Sequence, residues 1–138
     1  MQQPPNQFWF DRGRPCVEFR ADGSSSTHPV CTLIDCCGEY EAALYAYATT
    51  GFAFHGRLPN KRIHLLDGTT RVVRQAYLGI EWLGYRKHVV AQVMLTLGTP
   101  NHGLTGYVGA QFFAGHEVCI DYSAGSTLVR PVVNPIHP

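Results

Sequence analysis

Long apolar runs, an excess of charge of either sign, and evenly paired cysteines are all scarce in this sequence, and each shortage removes a class of protein. The longest apolar stretches, such as Val89 to Leu97, are broken by Gln92 and Thr96 and fall short of the ~20 residues a membrane-spanning helix needs. No membrane partner is expected. Lys and Arg number 11 against 10 Asp and Glu, a net charge of +1 with no basic run. Binding driven by the phosphate backbone requires a cationic surplus, so no nucleic-acid partner is expected either. The 5 cysteines are an odd number, as suits free thiols in a reducing compartment better than a disulfide framework. Cys36 and Cys37 are adjacent, whereas zinc-site thiolates are spaced so that both reach one tetrahedron. The 7 histidines show no short ligand spacing, so neither a metal nor any other cofactor is expected. The stretch Met1 to Gln7 has no positive flank and no apolar core, unlike a secretory signal. The expected location is intracellular, in the cytoplasm.

What is present is a chain of 138 residues, 45% of them hydrophobic, long enough to bury roughly two-thirds of its unfolded surface as one domain. Residues 1–14, rich in Gln, Pro, Arg and Gly, read as a flexible N-terminal arm, within which Phe8-Trp9-Phe10 is too apolar to stay undocked. The domain runs over residues 15–130, and residues 131–138 form a Pro-rich tail. Cys16 to Arg20 and Val30 to Ile34 alternate as two strands of a hairpin joined by a long polar loop. Glu39 to Thr50 holds good helix formers and stops at Gly51, so a helix is expected there. Asp67-Gly68 between the runs Ile63 to Leu66 and Thr69 to Val73 is a strong hairpin signal. Further strands are expected over Gln75 to Trp82, Lys87 to Leu97, Glu117 to Tyr122 and Leu128 to Val133, with a short amphipathic stretch at Ala110 to Gly115. This order predicts a mostly-β, closed-barrel-like fold with one or two short helices.

Several segments in this order carry a resemblance. Thr32-Leu33-Ile34-Asp35 stands where the retropepsin-like aspartic proteases have Ala-Leu-Ile-Asp; Asp67-Gly68-Thr69 resembles the tip of their flap hairpin; Val108-Gly109 resembles their second apolar-Gly turn, and Ile120-Asp121-Tyr122 the strand that follows it. The match runs from Val17 to Val129, and it is closest to the protease domains of gypsy-type retrotransposons and their domesticated relatives. The resemblance implies a homodimer in which Asp35 of each chain meets its mate at the two-fold axis, with Asp67, Gly68 and Thr69 closing over a bound polypeptide. Two carboxylates about 3 Å apart cannot both ionise, so the pair would share a proton and hydrolyse a peptide bond as acid and base.

The sequence departs from the family immediately after the aspartate, where Cys36-Cys37-Gly38 replaces a hydroxyl residue followed by Gly. The family hydroxyl clamps the two catalytic loops across the axis, and a thiol is a poor substitute. Cys37 adds a side chain where the backbone must pass close to the carboxylate, unless Gly38 takes over through a one-residue bulge. An error of about 1 Å in such a site costs on the order of a hundredfold in rate. Two functions therefore stand side by side: an aspartic endopeptidase, or a degenerate dimerisation or peptide-binding module built on the same cleft. A cysteine doublet beside a two-fold axis also makes an intersubunit disulfide conceivable.

Plainer roles compete for the same residues. Asp35 alone could cap the helix expected from Glu39, Asp67-Gly68 is first a turn former, and Asp121 reads as turn-supporting. Cys16, Cys31 and Cys119 lie in expected strands as small core side chains. A cysteine peptidase finds no support, because no histidine is identified as a base for Cys36 or Cys37.

Overall fold

A computed structural model describes residues 7–24, 26–64, 66–95 and 104–132. The first residues of the N-terminal arm, the end of the strand expected to reach Leu97, most of the loop after it and most of the C-terminal tail lie outside these. Among the described residues the chain forms ten strands: β1 (Phe8–Asp11), β2 (Arg14–Asp22), β3 (Thr27–Asp35), β4 (Ala42–Tyr45), β5 (Phe54–His64), β6 (Thr70–Trp82), β7 (Tyr85–Met94), β8 (Gly106–Gly109), β9 (His116–Asp121) and β10 (Ser126–Pro131). Single 3-10 turns follow β4 and β8, at Ala46–Thr49 and Ala110–Phe113.

Six of these strands close into a barrel in the order β2-β3-β8-β4-β7-β6, with β6 returning to β2 through Arg20↔Glu81 and Ala21↔Ile80. The mostly-β barrel expected from the strand order is the fold observed. Period-two alternation makes the barrel wall: Val17, Phe19 and Ala21 of β2 point inward between Glu18 and Arg20, and Leu78, Ile80 and Trp82 of β6 do the same. The long polar loop expected between the first two strands is short, because β2 and β3 stay paired out to Asp22↔Thr27. From Phe8 the expected arm is strand: β1 pairs with the start of β2, and Phe8 lies edge-on to Trp82 at 6.2 Å between ring centroids. No helix among the described residues is long and apolar enough to cross a membrane.

The helix expected over Glu39 to Thr50 does not form. Ala42, Ala43 and Leu44 are all buried, at 0%, 5% and 0% exposure, because β4 is an interior strand running parallel to β7 and antiparallel to β8. A strand covered on both faces reads as a continuous apolar run, and three good helix formers in such a run imitate a helix. The backbone hydrogen bonds offered by two neighbouring strands outweigh a propensity of a few tenths of a kcal/mol per residue. Only Ala46–Thr49, beyond the reach of those neighbours, coils.

The core is aromatic. Trp82 packs on Phe112 and Phe113, each at 5.4 Å, and Phe112 meets Phe19 at 5.3 Å. The 3-10 turn after β8 therefore closes one end of the barrel with two buried phenylalanines. Lys87 lays its ammonium over the rings of Phe112 (4.3 Å) and Trp82 (5.2 Å) and donates to the Phe112 carbonyl, and burial pushes its pKa down. Cys16 is buried as expected of a core thiol and Cys31 is half-buried, but Cys119 lies exposed on β9 opposite Leu128. The β9–β10 ribbon is a two-stranded sheet with one face toward solvent, so alternate residues of an apparent core strand point outward.

Asp22, at the end of β2, ties three elements together. Its carboxylate accepts from Arg86 at 3.0 Å on both oxygens and is bonded to Nε2 of His55 at 2.8 Å. The hydrogen bonds from His55 and Arg86 hold its pKa below the ordinary value of 3.8. A carboxylate whose pKa is depressed on folding stabilises the fold above its unfolded pKa and loses that contribution as pH falls through the folded one. Thermal unfolding of Asp22→Asn should therefore show a deficit against wild type near neutral pH. That deficit should shrink as the pH is lowered below about 4 and vanish once both pKa values are passed.

Candidate active site

Asp35 is the last residue of β3 and pairs in parallel with Gly109, the last residue of β8. Side chains alternate along a strand, so Leu33 and Asp35 share one face with their partners Tyr107 and Gly109. The chain then turns through Cys36, Cys37 and Gly38, with the Gly38 N–H donating to the Asp35 carbonyl at 3.1 Å. Two further backbone bonds stitch this turn to the end of β8: Gly109 N–H to the Glu41 carbonyl at 3.0 Å, and Ala110 N–H to the Gly38 carbonyl at 2.9 Å.

This stitching explains the glycines. A Cβ on Gly109 would lie 2.3 Å from the Tyr40 carbonyl oxygen and 2.7 Å from that of Gly38, so no side chain fits between strand and turn. A Cβ on Gly38 would lie 2.7 Å from Oδ2 of Asp35 and 2.4 Å from the ring of Tyr40. Gly38, not Cys37, thus occupies the crowded position beside the carboxylate, and both cysteines of the doublet are exposed. The Cys36 thiol lies 3.9 Å from the Tyr122 hydroxyl, just past β9.

The structure also brings to Asp35 a residue that the sequence had assigned to a helix. Tyr40 donates its hydroxyl to Oδ2 of Asp35 at 2.9 Å. Burial, then the bond to Asp35 and the negative charge beside it, push the phenol's pKa well above its ordinary value. A second tyrosine pair sits nearby: the hydroxyls of Tyr45 and Tyr107 are 3.2 Å apart, and this bond, with burial, pushes the pKa of Tyr45 up to about 12. Neither pair left a spacing signal, because each joins residues from different elements.

Tyr45 and Tyr107 line a cavity of about 530 Å³ together with Ile63, Arg71, Val73 and Met94. Ile63 belongs to β5 and Arg71 and Val73 to β6, so the long β5–β6 hairpin forms one wall of this cavity and the face that carries Asp35 forms another. At the hairpin tip Asp67 makes a tight turn, its Oδ1 accepting from the Thr69 N–H (2.9 Å) and hydroxyl (2.6 Å). Asp67, Gly68 and Thr69 are exposed, and among the described residues no hydrogen bond joins them to Asp35. On the other side of the sheet a cavity of about 460 Å³ is lined by Ile34, Cys36, Phe113, His116, Val118 and Tyr122. Asp121 accepts from the Ala124 N–H at 3.0 Å, a turn-supporting contact outside both cavities.

Of the residues singled out in the sequence, Asp35, Gly38 and Gly109 are gathered at one point, Cys36 and Cys37 border it, Val108 turns from the neighbouring position into the core, and the Asp67–Thr69 tip lies at the end of its hairpin. Among the described residues no group of three or more His, Cys, Asp or Glu side chains is close enough to hold a metal ion. No protein-family model and no curated protein matches the sequence. The close approach at Gly109 carries a direct prediction. Gly109→Ala forces the Tyr40–Glu41 backbone away from β8, and urea unfolding should show a loss of about 1–3 kcal/mol, as for overpacking in a tight core.

Proposed function

We propose that this chain is a retropepsin-like aspartic endopeptidase of the kind found in retroelements, working as a homodimer with Asp35 of each copy as the catalytic pair. The observation that carries the reading is the lock between Asp35 and Gly109. A carboxylate at the end of a strand, pinned by a parallel neighbour and an apolar-Gly turn, shares its face with a cavity walled by a long hairpin. Among the described residues β5, the last strand of the sheet, has a free edge that can accept an extended polypeptide through main-chain hydrogen bonds, with the cavity beside it taking a side chain.

In the proposed dimer the two Asp35 carboxyls hold one proton between them. The ionised carboxylate takes a proton from water as the water oxygen attacks the peptide carbonyl carbon, and the other carboxyl gives its proton to the carbonyl oxygen. Collapse of the tetrahedral diol returns a proton to the departing nitrogen, breaks the C–N bond and restores the shared proton. The chemistry asks the chain only for the placement of Asp35 and a face that orients the peptide.

Cys36 and Cys37 favour a second reading, a dimerisation or peptide-binding module that does not cut. No hydroxyl follows Asp35 to clamp the paired loops, and the thiol of Cys36 is directed toward Tyr122 instead. Cleavage of an unstructured polypeptide from acidic to neutral pH, with sedimentation on the same sample, separates the two. The peptidase reading expects activity from a sedimenting dimer that is blocked by a statine-type mimic and falls by about a hundredfold or more in Asp35→Asn. A confirmed dimer without activity leaves the binding module.

A further inference from the structure

The contact between Tyr40 and Asp35 goes beyond the family-like features of the site. Tyr40 is not a loose loop residue. Its carbonyl is trapped against Gly109, its ring lies against Gly38, and its neighbour Glu41 accepts the Gly109 N–H, so backbone and ring are both fixed before the hydroxyl reaches Oδ2 of Asp35 at 2.9 Å. A phenol in this position has one function toward a carboxylate. It donates, and the donation favours the ionised form and fixes the plane of the carboxyl group.

Resting on the peptidase reading for its catalytic meaning, we propose that Tyr40 is a positioning residue that holds Oδ2 of Asp35 and directs Oδ1 toward the reacting water and the second carboxyl. The hold acts within one chain, from the residue five positions after the aspartate. The geometry follows from the turn: Gly38 stands beside the carboxylate, and the ring of Tyr40 lies against it and covers Oδ2. Because the phenol is half-buried and its pKa is raised, it stays protonated and able to donate at pH values where an ordinary tyrosine would begin to ionise. The other titratable groups in the neighbourhood are Cys36, Cys37, Glu39 and Glu41 of the same turn, Tyr107 of β8, and Tyr122 beyond β9, which is bonded to Cys36.

The test is a ¹³C NMR titration of the Asp35 side-chain carboxyl in the full chain, comparing wild type, Tyr40→Phe, and a chain carrying 3-fluorotyrosine at position 40. Loss of the donor in Tyr40→Phe should raise the midpoint of Asp35 by about one pH unit, and the more acidic fluorophenol should lower it. The acidic limb of kcat/KM against pH should move by the same amount and in the same direction. A packing role alone would leave the midpoint in place, since phenylalanine keeps the ring. If Tyr40→Phe does not fold, the fluorotyrosine chain alone decides, because it retains shape and hydroxyl. Unchanged midpoints overturn the proposal whatever the cleavage assay reports. Shifted midpoints in a chain that never cleaves a polypeptide support the hold on Asp35 and overturn the peptidase reading.

Discussion

Strand β8 enters the barrel between β3 and β4, parallel to one and antiparallel to the other, and the backbone contact this forces at Gly109 is what the surroundings of Asp35 rest on. A four-residue strand cannot hold itself in place, and this one is held by ladders on both sides and by the bonds from Gly109 and Ala110 to the turn after Asp35. The same contact orders the turn, presents Gly38 to the carboxylate and sets the ring of Tyr40. Buried backbone groups must find partners, and here finding them also builds the site.

The two ends of β8 couple this site to the core. Immediately beyond Gly109 the chain coils and drives Phe112 and Phe113 under Trp82, completing the aromatic cluster that Phe8 and Phe19 also join. Each large side chain buried there contributes about 1.5–3 kcal/mol, so β8 is anchored by the hydrophobic interior on one side of the glycine and by main-chain bonds on the other. The β5–β6 hairpin shows the opposite balance: rooted through Leu78, Ile80 and Trp82, it is exposed along most of β5 and at its tip. The hairpin is thus the less tightly held part of the sheet, and segments that move are drawn from those with few buried contacts.

Much of this was legible before any coordinates. The alternation of Val17, Phe19 and Ala21 and the Asp-Gly turn at Asp67 both report local geometry, and local geometry is written in neighbouring residues. The stretch Glu39 to Thr50 was misleading for the same reason. Ala42, Ala43 and Leu44 suit a helix until two strands on either side offer their hydrogen bonds. Cys119 misled as well, since β9 pairs only with β10 among the described residues and this ribbon packs Val118 and Val129 on the core while its other face, with Cys119, meets water.

Residue types and their order were enough to indicate a mostly-β chain, a turn at Asp67-Gly68, and an aspartate closing an apolar strand. These depend on periodicity and on the conformations that Asp, Gly and β-branched residues favour, properties each segment carries alone. The meeting of Asp35 with Gly109, the choice of Gly38 over Cys37 beside the carboxylate, and the reach of Tyr40 to Oδ2 came from closing the barrel. Asp35 and Gly109 belong to strands far apart in the chain that only the assembled sheet pairs, and the turn holding Gly38 and Tyr40 takes its shape from the backbone bonds that tie it to the end of β8.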